Sequence, residues 1–383
     1  MITILHLITG LETGGAQRML YHVASHTDRS RFRPVVVSMT GPDAMGPPIE
    51  AEGVPLRSLG LRRGMPDPRG LLRLIRLLRE FRPAILQTWL YHADLLGLAA
   101  RPFAPSTRLL WNIRCTDMAS NSGLVKLLAR CSGVPDAVVV NAEAGQRYHQ
   151  AQGYRPKRWV TIPNGIDTSS FRPDPEARRR GRAELGIPDD VVAILLPARY
   201  HPMKDHATFL AAAALASRQA DLRFACAGAG CDPANRELTG AITTHRIGDR
   251  VQLLGERRDL AMLYPAFDIV TLSSAYGEGF PNVLGEAMAC AVPCVATDIG
   301  DAALIIGDTG IIVPPRDPPA LAEGWGRLAE LAPEGRTELG TKARARIVER
   351  YDIDQIVPRF EALYEEIAGT GAATERRRVN EVH

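Results

Sequence analysis

Short apolar runs alternate with helical stretches along this chain, and they do so in two successive series. In the first, the short apolar runs are ITILHLI, PVVVSM, AILQTW, RLLWNIR and DAVVVNA, and segments such as GLLRLIRLLREF with helical spacing separate them. In the second, VVAILLPAR, LRFACAG, VQLLG, DIVTLSS and PCVAT repeat the pattern after a polar, Pro- and Arg-rich stretch from Phe171 to Pro188. Such alternation is the sequence form of βαβ units, which build parallel sheets with helices on both faces. The intervening TIPNGIDTSSFRPDPEARRRGRAELGIPDD carries the Asn-Gly and Pro breakers of a linker. The expected architecture is α/β, two doubly wound domains over residues 1–168 and 169–353 with a cleft between them. A closing helix over 354–368 is expected to join the first domain, and 369–383 reads as a charged, frayed tail.

With 383 residues, 45% hydrophobic and 23% charged, the chain has enough apolar content for two cores. Its formal net charge of +3 is too small for nucleic-acid binding, so no nucleic-acid partner is expected. No apolar run reaches bilayer-spanning length, and MITILHLITG reads as a first strand and not as a secretion signal. Cys115, Cys131, Cys226, Cys231, Cys290 and Cys294 form no CxxC pair; reduced, buried thiols and a cytoplasmic location are the expectation, without zinc or disulfides. In GLLRLIRLLREFRP, Leu71, Leu74, Ile75, Leu78 and Phe81 share one helix face, and Arg73, Arg76, Arg79 and Arg82 turn toward the other. That pattern fits a core-packed helix with a solvated face, or one that also lies on an anionic membrane.

Chemistry concentrates where strands give way to helices. YGEGFPNVLGEAMACAVPCVAT sets Glu278 in a loop after DIVTLSS, opens a helix at Pro281 and Asn282, and places Glu286 about one turn inside it. In open α/β sheets ligands bind at such carboxyl ends, where a helix N-terminus favours negative charge. In LLPARYHPMKDH, Arg199 and Lys204 follow a strand; two cations there suit a diphosphate, or are simply solvated. Gly14 and Gly15 in GLETGGAQRML allow close approach of a phosphate and φ > 0, or form a plain tight turn, and their spacing is not GxGxxG. His92 in QTWLYHADLLG follows another strand and is either a capping residue or a catalytic one.

Taken in order along the chain, GGAQR, TIPNGIDTSSF, RYHPMK and EGFPNVLGE resemble the motifs of the retaining glycosyltransferases of family 4, which have the two-domain, Rossmann-like GT-B fold. The resemblance spans nearly the whole chain. TWLYHADLLG, ARYHPMKDHATFL and SSAYGEGFPNVLGEAMAC look most like the bacterial branch that builds O-antigen, capsule and exopolysaccharide. It implies a catalytic set of His92, Arg199, Lys204 and Glu278, with Arg199 and Lys204 on the donor diphosphate and His92 near the reacting sugar. It implies donor contacts from Gly14, Gly15, Gly228, Gly279, Phe280, Pro281, Asn282 and Glu286, the last on the donor ribose. The implied partners are a nucleotide-diphosphate sugar and a saccharide or lipid-linked saccharide acceptor; peripheral contact with an anionic membrane is an expectation of the basic, amphipathic pattern of Gly70 to Arg82 alone. No DxD-type cluster stands beside these motifs, so neither a metal nor a cofactor is expected. Three positions depart from the family pattern: Ala291, where Gly is usual, and Ala229 and Cys231 in AGAGCD, where Asp and Pro are usual. The competing readings are a nucleotide-sugar epimerase of similar fold and a non-catalytic nucleotide-sugar binder.

Overall fold

Strands β1 (Ile2–Ile8), β2 (Phe32–Ser38), β3 (Leu56–Ser58), β4 (Ile85–Trp89), β5 (Arg108–Ile113), β6 (Ala137–Val140) and β7 (Trp159–Thr161) make one parallel sheet in the order β3-β2-β1-β4-β5-β6-β7. The computed structural model describes residues 1–62, 67–114 and 122–380; Cys115 lies outside them. All of β4, ILQTW, is buried, as a parallel strand covered on both faces must be. One face packs Ile4, Ile8, Trp89 and Leu110 under the helices Gly15–His26 and Ile353–Asn380. The other packs Leu5, Leu7, Leu86 and Trp111 under the helices Arg69–Phe81, Tyr91–Ala100 and Ser122–Cys131.

The second sheet contains β8 (Val192–Pro197), β9 (Leu222–Ala227), β10 (Val251–Leu253), β11 (Ile269–Leu272), β12 (Cys294–Thr297) and β13 (Ile311–Val313), all parallel, in the order β10-β9-β8-β11-β12-β13. In each sheet the chain order reverses once, between β1 and β4 and between β8 and β11. At such a switch the two loops leave toward opposite faces, which makes their carboxyl ends the natural ligand position.

The chain divides into two compact units, Met1–Gly165 with Ile353–His383, and Ile166–Asp352. The boundary falls at Gly165 and not at residue 168, because Ile166 N–H donates to Tyr351 O at 2.8 Å and the Thr168 hydroxyl donates to Asp352, which ties 166–168 to the second unit. The closing helix begins at Ile353, so the second unit ends at Asp352. It buries Ile356, Phe360, Leu363, Tyr364 and Ile367 in the first core, at about 1.5–3 kcal/mol for each large apolar side chain. It also continues to Asn380, through the segment expected as a frayed tail; the Ala, Glu and Arg of AATERRR are good helix formers.

Ala291 ends the helix Asn282–Ala289 with φ +59°, its N–H on Met288 O at 2.9 Å and the Val292 N–H on Ala287 O at 3.0 Å. A left-handed C-terminal residue is the position that glycine fills without steric cost. Ala291→Gly is therefore expected to raise stability by about 1 kcal/mol, the left-handed penalty less the entropy that glycine adds to the unfolded chain. Guanidinium unfolding measures it, and an unchanged or lower midpoint would mean that the geometry is unstrained there.

Candidate active site

The loop after β8 is built to present Lys204. Ala198 is still buried and Arg199 is exposed, with no side-chain partner among the described residues. His201 Nδ1 accepts from Met203 N–H at 3.2 Å, and Pro202 sets φ for the short 3-10 turn Pro202–Lys204. Asp205, at φ +49°, then caps the helix His206–Ala216 through Thr208 N–H at 3.1 Å and Thr208 Oγ at 2.7 Å. Lys204 thus stands between two side-chain caps.

Two further hydrogen bonds join this loop to the one after β11: Ala275 N–H donates to Met203 O at 2.8 Å, and Ser273 Oγ to Lys204 O at 2.7 Å. Beyond them Glu278 Oε1 receives Lys204 Nζ at 2.5 Å and Ser274 Oγ at 2.6 Å. The pair is well covered, the side chains being 17% and 9% exposed, so it is screened far less than a surface ion pair. Glu278 and Lys204, expected on a sugar and a diphosphate, hold each other.

Gly300 supports the loop from the carboxyl end of β12. Its φ is +67°, and a Cβ there would lie 2.5 Å from Gly279 O and 2.8 Å from Glu278 O. Asp301 N–H donates to Gly279 O at 2.9 Å. Sequence reading missed Gly300; its one signal was a Gly three residues past the end of the strand run PCVAT. Phe280 is buried with its ring 5.4 Å from that of Tyr351, and Pro281 precedes the helix Asn282–Ala289. Glu286, 5% exposed, accepts from Tyr264 OH at 2.9 Å. Burial, with that carboxylate beside it, pushes the Tyr264 phenol well above its usual range. The Cys290 thiol is pushed up to about 12 by burial and by Glu286.

Gly228, after β9, carries the backbone of Arg199. A Cβ at 228 would meet Ala198 O at 2.3 Å and Arg199 N at 2.6 Å, and Tyr200 N–H donates to Ala229 O at 2.8 Å. Cys231 packs under this crossing, its Sγ–H donating to Ala198 O at 3.1 Å and lying 3.2 Å from His206 Nε2. Burial raises that thiol to about 11 and lowers His206 to about 4, so both are neutral at pH 7. They brace the loop and form no thiolate–imidazolium pair. Among the described residues no three His, Cys, Asp or Glu side chains gather as metal ligands.

In the first unit Gly14 ends the loop after β1 and Gly15 opens the helix that follows it, and His92 lies after β4. Gly14 precedes the helix Gly15–His26 with φ −170°, an extended conformation open to any residue, so the left-handed freedom expected of it is not used. His92 is exposed in the first turn of Tyr91–Ala100, behind Leu90 at φ +73°, ψ 157°, a region almost reserved for glycine. The Leu90 N–H bond to Asn112 O at 3.2 Å and the Asp94 N–H bond to Leu90 O at 3.0 Å hold this turn. The structure therefore brings Arg199, Lys204, Gly228 and Glu278–Asn282 onto adjoining loops of the second sheet, with Glu286 on the helix behind them. Gly14, Gly15 and His92 occupy the equivalent ends of the first.

Residues 13–170 match the profile described as Glycosyltransferase Family 4, and residues 192–330 match that described as Glycosyl transferases group 1. The chain belongs to the family 4 glycosyltransferases. EpsF of Bacillus subtilis, which carries a glycosyltransferase name, is 27% identical to this glycosyltransferase over 311 residues, 77% of the chain and 79% of EpsF. The D-inositol 3-phosphate glycosyltransferase of Saccharomonospora viridis is 33% identical over 226 residues, 55% of the chain; the match spans 51% of that relative's length. Among solved structures, Anabaena Alr3699/HepE in complex with UDP and glucose superposes with a TM-score of 0.82 at 21% identity, over 96% of this chain and all of that one. The fold of this glycosyltransferase is GT-B.

Proposed function

We propose that this glycosyltransferase moves a sugar from a nucleoside diphosphate sugar, UDP-linked in the first instance, to a saccharide or lipid-linked saccharide. Retention of anomeric configuration and a role in cell-surface polysaccharide assembly are part of the proposal. The observation that carries it is the covered Lys204–Glu278 pair, with Arg199 and the N-terminus of Asn282–Ala289, at the switch point of the second sheet. Departure of a nucleoside diphosphate develops negative charge, which preorganised cations stabilise. When the donor binds, Lys204 and Arg199 face the diphosphate and Glu278 turns its oxygens to the sugar hydroxyls. Complexes of HepE with UDP and with UDP-glucose support the choice of donor. Glu278 has no nucleophile role here, because the two-carboxylate logic of glycosidases does not carry over.

Incubation with UDP-sugars and candidate acceptors, followed by mass spectrometry, tests the reading. Transfer with retained configuration supports it, whereas an epimerised donor or bound but unconverted donor supports one of the two rivals. Transfer is also expected to persist in EDTA, since Arg199 and Lys204 supply the positive charge. Activity lost in EDTA and restored only by Mg²⁺ or Mn²⁺ would overturn that part.

Membrane contact is the remaining element of the proposal, and its support is the helix Arg69–Phe81. Leu72 is 56% exposed there, flanked by exposed Arg69, Arg76 and Arg79, while Arg73 turns back to donate to Leu59 O. Among the described residues no helix is long and apolar enough to cross a membrane. An exposed apolar residue ringed by Arg suits an anionic surface. Sedimentation is expected to show stronger binding to anionic than to neutral vesicles, weakened by salt; equal partitioning would refute the contact.

A further inference from the structure

Arg114 leaves the carboxyl end of β5, and the described residues around it do not balance its charge. Among the described residues no carboxylate pairs with it; the neighbouring ionisable group is the Tyr364 phenol. Nε donates to Asn112 Oδ1 at 3.0 Å, and Nη1 donates to Asn164 Oδ1, which also accepts from Asn141 Nδ2 at 3.5 Å. The guanidinium carbon lies 5.1 Å from the Trp89 ring centroid and 5.6 Å from that of Phe360. Nη2 is buried without an acceptor, and so is Asn112 Nδ2 on the side chain that holds Arg114. Burial depresses the guanidinium to about 9, which marks a site where the charge is costly.

A purely structural brace across the ends of β5, β6 and β7 needs only the two donated hydrogen bonds, and a neutral amide could make them. It does not need a cation, and burying one unpaired is expensive. Two unmatched donors beside a positive charge, at the end of the sheet where ligands bind, are complementary to an oxyanion with several oxygens. Arg holds such groups through two N–H bonds at once, and here its aromatic backing fixes the plane of the fork.

We infer that Arg114, with the Asn112 amide, anchors a phosphate ester or diphosphate carried by the acceptor. The inference rests on the glycosyltransferase reading, with the first unit on the acceptor side. It narrows the acceptor to one that bears an anion close to the accepting hydroxyl.

Calorimetric titration of inorganic pyrophosphate, and in parallel inorganic phosphate, into the full chain saturated with UDP tests it with the donor loops already filled. Arg114→Gln is expected to weaken pyrophosphate binding at least about tenfold while UDP affinity is unchanged. Arg114→Lys keeps the charge but loses the planar fork that reaches two partners and an anion together, so it is expected to fall between the two and serves if the Gln variant does not fold. Tighter binding of pyrophosphate than of phosphate supports a diphosphate carrier such as a lipid diphosphate, and equal binding supports a sugar monoester. Unchanged pyrophosphate affinity in Arg114→Gln, or no binding by the wild type at millimolar concentration, would overturn the inference. Failure of the wild type to bind UDP would count against the donor assignment instead, and a pyrophosphate site lost in Arg114→Gln would still stand.

Discussion

Replacement of Lys204 by alanine is expected to lower the rate of transfer at least about 100-fold, the scale of one preorganised charge stabiliser lost from a covered site. Arg199→Ala is expected to match it. The two losses have different side effects, and these identify the cause. Arg199 is exposed without a side-chain partner among the described residues, so its removal should leave the unfolding midpoint unchanged. Lys204 pairs with Glu278, whose side chain is 9% exposed, so its removal leaves a covered carboxylate with the Ser274 hydroxyl. Lys204→Ala should therefore also lose stability, and Glu278→Gln in the same background should restore stability without restoring transfer. If both cations act on the departing diphosphate, kcat falls further than KM rises. Activity within a few-fold of wild type in both single variants would remove them from the site.

What could be read from the sequence follows from which interactions are local. The two βαβ series, the helix opening at Asn282 and the cations Arg199 and Lys204 depend on neighbours in the chain and on strand ends, and periodicity and spacing report those. Ala291 stood out only as a departure from the family pattern, where glycine is usual, and its φ is left-handed. The Lys204–Glu278 contact joins residues on two separate loops, and no pattern within either loop encodes it. Gly300 belongs to the same class, since its need for hydrogen in place of Cβ comes from the carbonyls of Glu278 and Gly279. Arg114 escaped for a different reason. It ends the apolar run RLLWNIR, where a charged residue reads as a strand leaving the core, and what distinguishes it is that no carboxylate among the described residues pairs with it.

Gly228→Ala is expected to abolish most transfer, again by about 100-fold or more, although residue 228 contributes no functional group. Its Cβ would lie 2.3 Å from Ala198 O and 2.6 Å from Arg199 N, and both are backbone atoms that cannot rotate away. The glycine is itself fixed by its N–H bond to Gly255 O at 2.7 Å, and Tyr200 N–H is fixed to Ala229 O. Relief of the clash must therefore separate the ends of β8 and β9, which carries Arg199 away from its position. A displacement of about 1 Å in a positioning element is enough for a hundredfold loss. The overpacking should also cost about 1–3 kcal/mol in stability. A ligand-independent structural role predicts the stability loss alone; displacement of Arg199 predicts in addition that Arg199→Ala adds little to Gly228→Ala. The double-mutant cycle decides it: additive losses of activity would show that Gly228 does not act through Arg199.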